Sequence, residues 1–154
     1  IRQLQKYLQE GDQVLDVGCG SGILSIVALK LGAQHVVGTD IDEDCIASSY
    51  DNFAVNHLDK SLGDFYVGNL IDDEALQDKV GKEKYDVVVA NILADIIIPM
   101  APALAASMKP GAKLITSGII DFKEQEVADA LIAAGLQVVE SNAQGEWRNI
   151  TACK

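Results

Sequence analysis

Six positions in this chain fall where a parallel α/β sheet does its chemistry: Gly18, Gly20 and Gly22, then Asp40, Asn69 and Asn91. The glycines follow the apolar run around Val14, Leu15 and Val17 and precede Ile23 to Leu31, which is apolar nearly all round. That order reads as a buried strand entering a tight turn that opens a packed helix. Such a turn lets backbone approach a ligand, and the helix start offers free N–H groups. The spacing is G-x-G-x-G, whereas a dinucleotide fingerprint carries its third glycine one position later, where Ile23 stands. Asp40 ends a second apolar run, about 20 residues past the loop, where a ribose-binding carboxylate belongs. The alternative for Asp40 is a helix N-cap, a role Asp42 fills better. A glycine turn alone can bind nothing. The turn and Asp40 together point to a nucleoside-type cofactor.

Asn91 is an amide at the end of the most apolar strand in the chain, Tyr85 to Ala90, where packing gives no reason for it. Its alternative is a cap for the following helix. Ligands of doubly wound sheets bind outside the carboxyl ends of the strands, and Gly18, Asp40, Asn69 and Asn91 all follow predicted strands.

The elements that must position these residues are legible in order. Ile1 to Gln9 has helical spacing, and Glu10-Gly11-Asp12 turns into the first strand. His35 to Thr39 is the second strand. Asp42-Glu43-Asp44 opens a helix whose buried face is marked by Ile46, Tyr50 and Ala54. Leu62 to Val67 is a third strand, and Glu74 to Val80 has helical character. After Asn91 a helix extends to about Met108, burying Ile97, Ala101, Leu104 and Met108, with Pro99 and Pro102 disturbing its first turns. Lys109-Pro110-Gly111 is a turn before a strand at Lys113 to Ser117. Asp121 and Glu124 suggest a capping box for a helix that buries Val127, Leu131 and Ala134 and stops at Gly135. Leu136 to Ser141 and Trp147 to Cys153 form a closing antiparallel hairpin around Asn142 to Glu146. The expected fold is therefore α/β: a doubly wound, mostly parallel seven-stranded sheet with a C-terminal antiparallel hairpin.

D-V-G-C-G-S-G followed by V-V-G-T-D-I-D resembles the class I S-adenosylmethionine-dependent methyltransferases. The segments G-S-G-I-L, D-I-D, V-V-V-A-N-I-L-A and G-E-W narrow the likeness to PrmA-type enzymes, which methylate protein eleven of the large ribosomal subunit. The resemblance runs from Val14 to the C-terminus. It implies a Rossmann-like methyltransferase fold with S-adenosylmethionine as cofactor, bound by Gly18, Gly20, Asp40, Asn69 and Asn91. Asn69 would hold the adenine edge, unless it is an ordinary turn residue. Asn91 would be the catalytic residue: its side chain and nearby carbonyls would accept hydrogen bonds from the target amine. Related enzymes acting on DNA bases or glutamine follow this position with prolines and an aromatic, which Asn91-Ile92-Leu93-Ala94 lacks. The family also carries a substrate-recognition domain and a cofactor-covering segment ahead of the catalytic domain. Nothing before Val14 resembles either, so residues 1–154 read as the catalytic domain alone.

Composition bounds the remaining choices. The chain has 154 residues, 49% hydrophobic and 23% charged, with net charge −11. This fits one globular domain and disfavours a surface for nucleic-acid phosphates; it is compatible with a basic protein substrate and equally with acidity serving solubility alone. Cys19, Cys45 and Cys153 form no C-x-x-C pair, so neither a disulfide framework nor a zinc site is expected, and a cytoplasmic setting fits. No segment is long and apolar enough to span a membrane. His35 and His57 read as structural, and Trp147 as a packing residue in preference to a substrate contact. No Ser/His/Asp set and no metal cluster is present, consistent with methyl transfer, which relies on positioning. The readings left to separate are a ribosomal-protein amine methyltransferase, a methyltransferase for a small molecule or RNA, and a cofactor-binding module without activity. An NAD-dependent oxidoreductase is disfavoured by the glycine spacing and the closing hairpin.

Overall fold

A computed structural model describes residues 1–154. The elements are α1 (Arg2–Tyr7), β1 (Gln13–Val17), α2 (Ile23–Lys30), β2 (His35–Asp40), α3 (Glu43–Val55), β3 (Gly63–Val67), α4 (Glu74–Val80), β4 (Tyr85–Asn91), α5 (Ala94–Ser107), β5 (Met108–Ile120), α6 (Glu124–Ala133), β6 (Gln137–Gln144) and β7 (Trp147–Cys153). Seven strands form one sheet in the order β3-β2-β1-β4-β5-β7-β6. The first five run parallel, and β7 pairs antiparallel with both β5 and β6. The strand order reverses between β1 and β4, which opens a crevice above their carboxyl ends.

Each central strand feeds two cores because successive side chains point to opposite faces. Leu15, Val17, Val88, Ala90 and Leu114 pack with α4, α5 and α6. Val14, Val87, Val89 and Ile115 pack with α1, α2 and α3. This two-sided burial explains the unbroken apolar runs of β1 and β4. No helix is long and apolar enough to cross a membrane.

Several local expectations shift. On α3 the inner face is Ile46, Ser49, Tyr50 and Phe53, and Ala54 is exposed. Ser49 goes inward because its hydroxyl donates to the Gly20 carbonyl at 3.0 Å. Phe53 and Tyr50 both meet Phe65 edge-on, with centroids 5.2 and 5.1 Å apart. Lys109-Pro110-Gly111 is no separate turn: β5 begins at Met108 and absorbs it as an irregularity, with Gly111 at φ +83°. Helix α5 runs through Pro99 and Pro102. Both lie on its solvent side, where water reaches the carbonyls that their missing N–H groups leave free.

The capping box at Asp121 and Glu124 does not form. A single 3₁₀ turn over Asp121–Lys123 precedes α6, whose N-cap Lys123 makes no side-chain cap. Glu124 turns instead to β6 and β7, accepting from Ser141 Oγ at 2.5 Å and Arg148 Nε at 2.9 Å. The closing hairpin is tighter than expected. Asn142 to Gln144 continue β6, and only Gly145 and Glu146 form the turn, with Gly145 in the left-handed region.

Candidate functional site

The glycine loop is fixed from three directions. Gly18, Gly20 and Gly22 all have positive φ, at +70°, +53° and +75°, so side-chain-bearing residues there would be strained. Gly18 is also needed for space, because a Cβ would overlap Ile92 Cγ2. Below the loop, Asp16 is buried at 1% exposure. Its Oδ2 accepts from the Ser25 backbone N–H at 3.0 Å and the Ser25 hydroxyl at 2.7 Å, tying β1 to the first turn of α2. Desolvation raises the Asp16 pKa to about 6, against the opposing pull of those two Ser25 donors. Sequence reading placed no role on Asp16. Its signal was an acid inside an otherwise apolar strand.

Asp40 ends β2 beside the loop. Its Oδ2 accepts from Gly20 N–H at 2.9 Å and its Oδ1 from Asp42 N–H at 3.1 Å. Each carboxylate oxygen retains capacity for a further donor. Asp42 is the side-chain N-cap of α3, accepting from Asp44 N–H at 2.9 Å, so Asp40 is not spent on capping. Cys19 is buried between these acids and Ser49. Burial first, then the Asp16 charge, pushes its thiol up to about 12, which makes it an inert space-filler.

A cavity of about 350 Å³ opens beside the loop. Asp40, Ile41, Asn69, Leu70, Ile92 and Ile96 are among its walls. Asn69 follows β3 and braces its own turn by accepting from Ile71 N–H at 3.1 Å. The apolar walls were not singled out from sequence. Ile41, Ile92 and Ile96 look like ordinary core residues until the loops converge.

Asn91 lies outside the cavity lining, at the exposed end of β4. It does not cap α5, whose N-cap is Leu93 with no side-chain bond. Its Oδ1 accepts from the Ser117 hydroxyl at 2.7 Å, and Asn91 and Ser117 are register partners across β4 and β5. Gly18 and Asn91 are linked through Ile92, which follows Asn91 and packs against the glycine. Gly20 and Asp40 meet directly, and Asn69 reaches the same cavity as Asp40. The residues read from sequence thus gather along one edge of the sheet. Trp147 is a correction: it is 55% exposed rather than packed, because it faces outward at the hairpin mouth next to Gly145 and Glu146. His35 lies 3.4 Å from Asp64 on the sheet, and His57 closes α3 in the left-handed region; neither is at the cavity. No group of potential metal ligands occurs.

Known proteins resemble this chain in sequence and fold. A ribosomal protein L11 methyltransferase named for Agathobacter rectalis is 68% identical over 157 residues, covering 100% of this chain and 49% of its own length. Another from Lachnospira eligens is 55% identical, covering 99% of this chain and 48% of its own. The chain spans about half the length of these curated relatives. A crystal structure of a ribosomal protein L11 methylase from Lactobacillus delbrueckii subsp. bulgaricus superposes with a TM-score of 0.85 at 30% identity, over 97% of this chain and 73% of that one. The family profile for ribosomal protein L11 methyltransferase (PrmA) matches residues 1–154 from end to end. The chain therefore belongs to the ribosomal protein L11 methyltransferase family.

Proposed function

We propose that residues 1–154 are the catalytic domain of an enzyme that transfers methyl groups from S-adenosylmethionine to amines, lysine side chains or an α-amine, of a large-subunit ribosomal protein in the cytoplasm. Recognition of that protein is assigned to the part of the relatives' length that this chain does not span. One observation carries the reading: a nucleoside-sized cavity bordered by Asp40 lies beside a loop whose Gly18 packs against Ile92, the neighbour of Asn91.

The residues fit the cofactor. A cavity of about 350 Å³ lies in the range of small-ligand sites. Ile41, Leu70 and Ile92 offer apolar walls for a flat base, and Asn69 a polar edge. Asp40 can accept from two ribose hydroxyls while holding Gly20. Each such charged hydrogen bond contributes about 1.5–3 kcal/mol.

When bound, S-adenosylmethionine supplies a sulfonium-activated methyl group, which an amine nitrogen takes in line as the carbon–sulfur bond breaks, leaving S-adenosylhomocysteine and a proton on the new amine. The protein's task is to present a neutral amine. Asn91 Oδ1 and the Ile92 carbonyl are acceptors, so they can hold N–H groups and leave the lone pair free. An amide carries no charge, so it gives no special favour to the unreactive ammonium form. Holding the nitrogen in line supplies the larger share of the rate.

The test is thermal denaturation. S-adenosylhomocysteine should raise Tm, and NAD should not. Stabilisation by NAD alone would overturn the proposal. With cofactor bound, labelled methyl groups should enter the ribosomal protein and not ribosomal RNA when the full-length enzyme is used.

A further inference from the structure

A groove of about 270 Å³ lies apart from the cofactor cavity, between the start of α6 and the β6–β7 pair. Ala128, Val138 and Ile150 line its apolar floor, and the exposed residues Asp121, Phe122 and Gln125 stand on its rim. A single exposed apolar side chain is ordinary, but Phe122, at 72% exposure, overhangs this groove beside an underused acid. Asp121 Oδ1 accepts from Phe122 N–H at 2.7 Å, whereas its Oδ2 lies 4.0 Å from Arg148 Nη2, too far for a hydrogen bond. Gln125 gives its Nε2 to Asp129 at 2.8 Å and keeps its carbonyl oxygen available. The neighbouring cations are already engaged: Arg148 Nε with Glu124 at 2.9 Å, and Lys123 with Glu126 at 2.8 Å and Asp95 at 3.4 Å. Glu124 and Glu126 also occupy the first turn of α6, where they offset its positive end. Asp121 is left with an oxygen to spare, next to an exposed aromatic ring.

We infer that this groove takes a basic side chain of the substrate protein, one that flanks the amine to be methylated. A lysine or arginine stem matches the floor of Ala128, Val138 and Ile150. Its charged head meets Asp121 Oδ2 and the Gln125 carbonyl, and the Phe122 ring adds a cation–π contact. The net charge of −11 draws a cationic segment toward this domain, and a ribosomal protein, built to meet RNA phosphates, supplies one. The position fits as well. Ala90, Thr116, Ile150 and Ser141 are register partners in one row across β4, β5, β7 and β6, and Ser141 lines the groove. Asn91 follows Ala90, so three strand spacings, about 14 Å, separate the two sites. At about 3.3 Å per residue, the flanking side chain belongs about four or five residues from the target amine. The inference rests on the reading of this chain as a methyltransferase of a ribosomal protein, and adds a local contact to the recognition assigned elsewhere in the enzyme.

The test is steady-state methylation of ribosomal protein L11 by the full-length enzyme. Phe122→Ala should raise KM for the protein about fivefold and Asp121→Lys about tenfold. In both, kcat and affinity for S-adenosylmethionine should be unchanged, the pattern of a contact made equally before and during the reaction. Asp121→Asn, which keeps an oxygen without the charge, should raise KM about threefold. The Asp121→Lys effect should shrink to about twofold in about 0.5 M salt. Neutralising a basic residue of the substrate four or five positions from its target lysine should raise KM for the unaltered enzyme and not for Asp121→Lys. Unchanged KM in Phe122→Ala and Asp121→Lys, or a loss confined to kcat, overturns the groove while leaving the methyltransferase reading intact. If Asp121→Lys misfolds, Phe122→Ala and Asp121→Asn decide, and an unchanged KM in both overturns it. A Phe122→Ala variant that loses several degrees of Tm in the full-length enzyme, but not in residues 1–154, would give the groove to another part of the same enzyme. A change of oligomeric state would give it to a second copy, and either result overturns the inference. Absence of methyl transfer to the ribosomal protein by the unaltered enzyme overturns the reading of its function, and the groove with it.

Discussion

Asp16 and Ser25 are joined twice: one carboxylate oxygen takes both the backbone N–H and the hydroxyl of the same serine, in the floor of the glycine loop. The pair fixes where β1 stops and α2 begins, and so fixes the curvature of the loop. It also leaves Asp16 with a pKa raised to about 6 by burial. A raised carboxyl pKa means the folded chain holds a proton that the unfolded chain has released. The associated stability is complete below the unfolded pKa and declines as pH rises toward 6 and beyond. The Tm difference between the unaltered chain and Asp16→Asn, measured from pH 4 to pH 7.5, should move against the aspartate by an amount equivalent to about 3 kcal/mol at most. A difference independent of pH would show that Asp16 titrates normally.

Asp40→Ala should weaken binding of S-adenosylhomocysteine by about 10- to 100-fold, equivalent to about 1.4–3 kcal/mol of lost ribose contacts. The carboxylate also holds Gly20 N–H and Asp42 N–H, so Asp40→Asn, which keeps an acceptor, should fall between. Equal affinity in all three proteins would place the ribose elsewhere.

Asn91→Ala in the full-length enzyme should lower kcat by about 100-fold and leave cofactor affinity within a factor of two or so. Because Asn91 is exposed and caps no helix, Tm should stay close to that of the unaltered protein. Unchanged turnover at saturating substrate would leave Asn91 with no role beyond its bond to Ser117.

The domain assignment predicts a split between binding and turnover. Residues 1–154 alone should bind S-adenosylhomocysteine, because Gly18, Asp40 and Asn69 all border the cavity that they form. Their kcat/KM toward the ribosomal protein should fall orders of magnitude below that of a full-length relative, since the target amine is rarely presented. Equal rates would place recognition within this domain, on its acidic surface.

How far the sequence reached depends on how local each constraint is. Gly18 and Asp40 were legible because turn geometry and strand ends impose residue types within a few positions. Helix α4 was legible over Glu74–Val80 despite its polar surroundings. What failed depended on distant partners. Ser49 was overlooked on α3 because its inward position is set by the Gly20 carbonyl, 29 residues earlier in the chain. Glu124 was read as a cap because Ser141 and Arg148, its actual partners, are remote in sequence. Trp147 was read as packing because its size favours burial, yet the tight turn at Gly145 turns it outward.

The sheet order has a consequence for how the protein is made. Strand β7 is threaded between β5 and β6, so β5 is an unpaired edge until residues 147–153 exist. At about 5–20 residues per second of synthesis, that edge waits a few seconds after Ile120 leaves the ribosome's peptidyl centre. Through that interval Leu114 and Ile115 sit on a strand with open hydrogen-bonding groups, the condition that invites pairing with a neighbouring chain. The order of synthesis thus places β5 ahead of the strand that covers it, and a chaperone that meets the chain in between would find β5 uncovered.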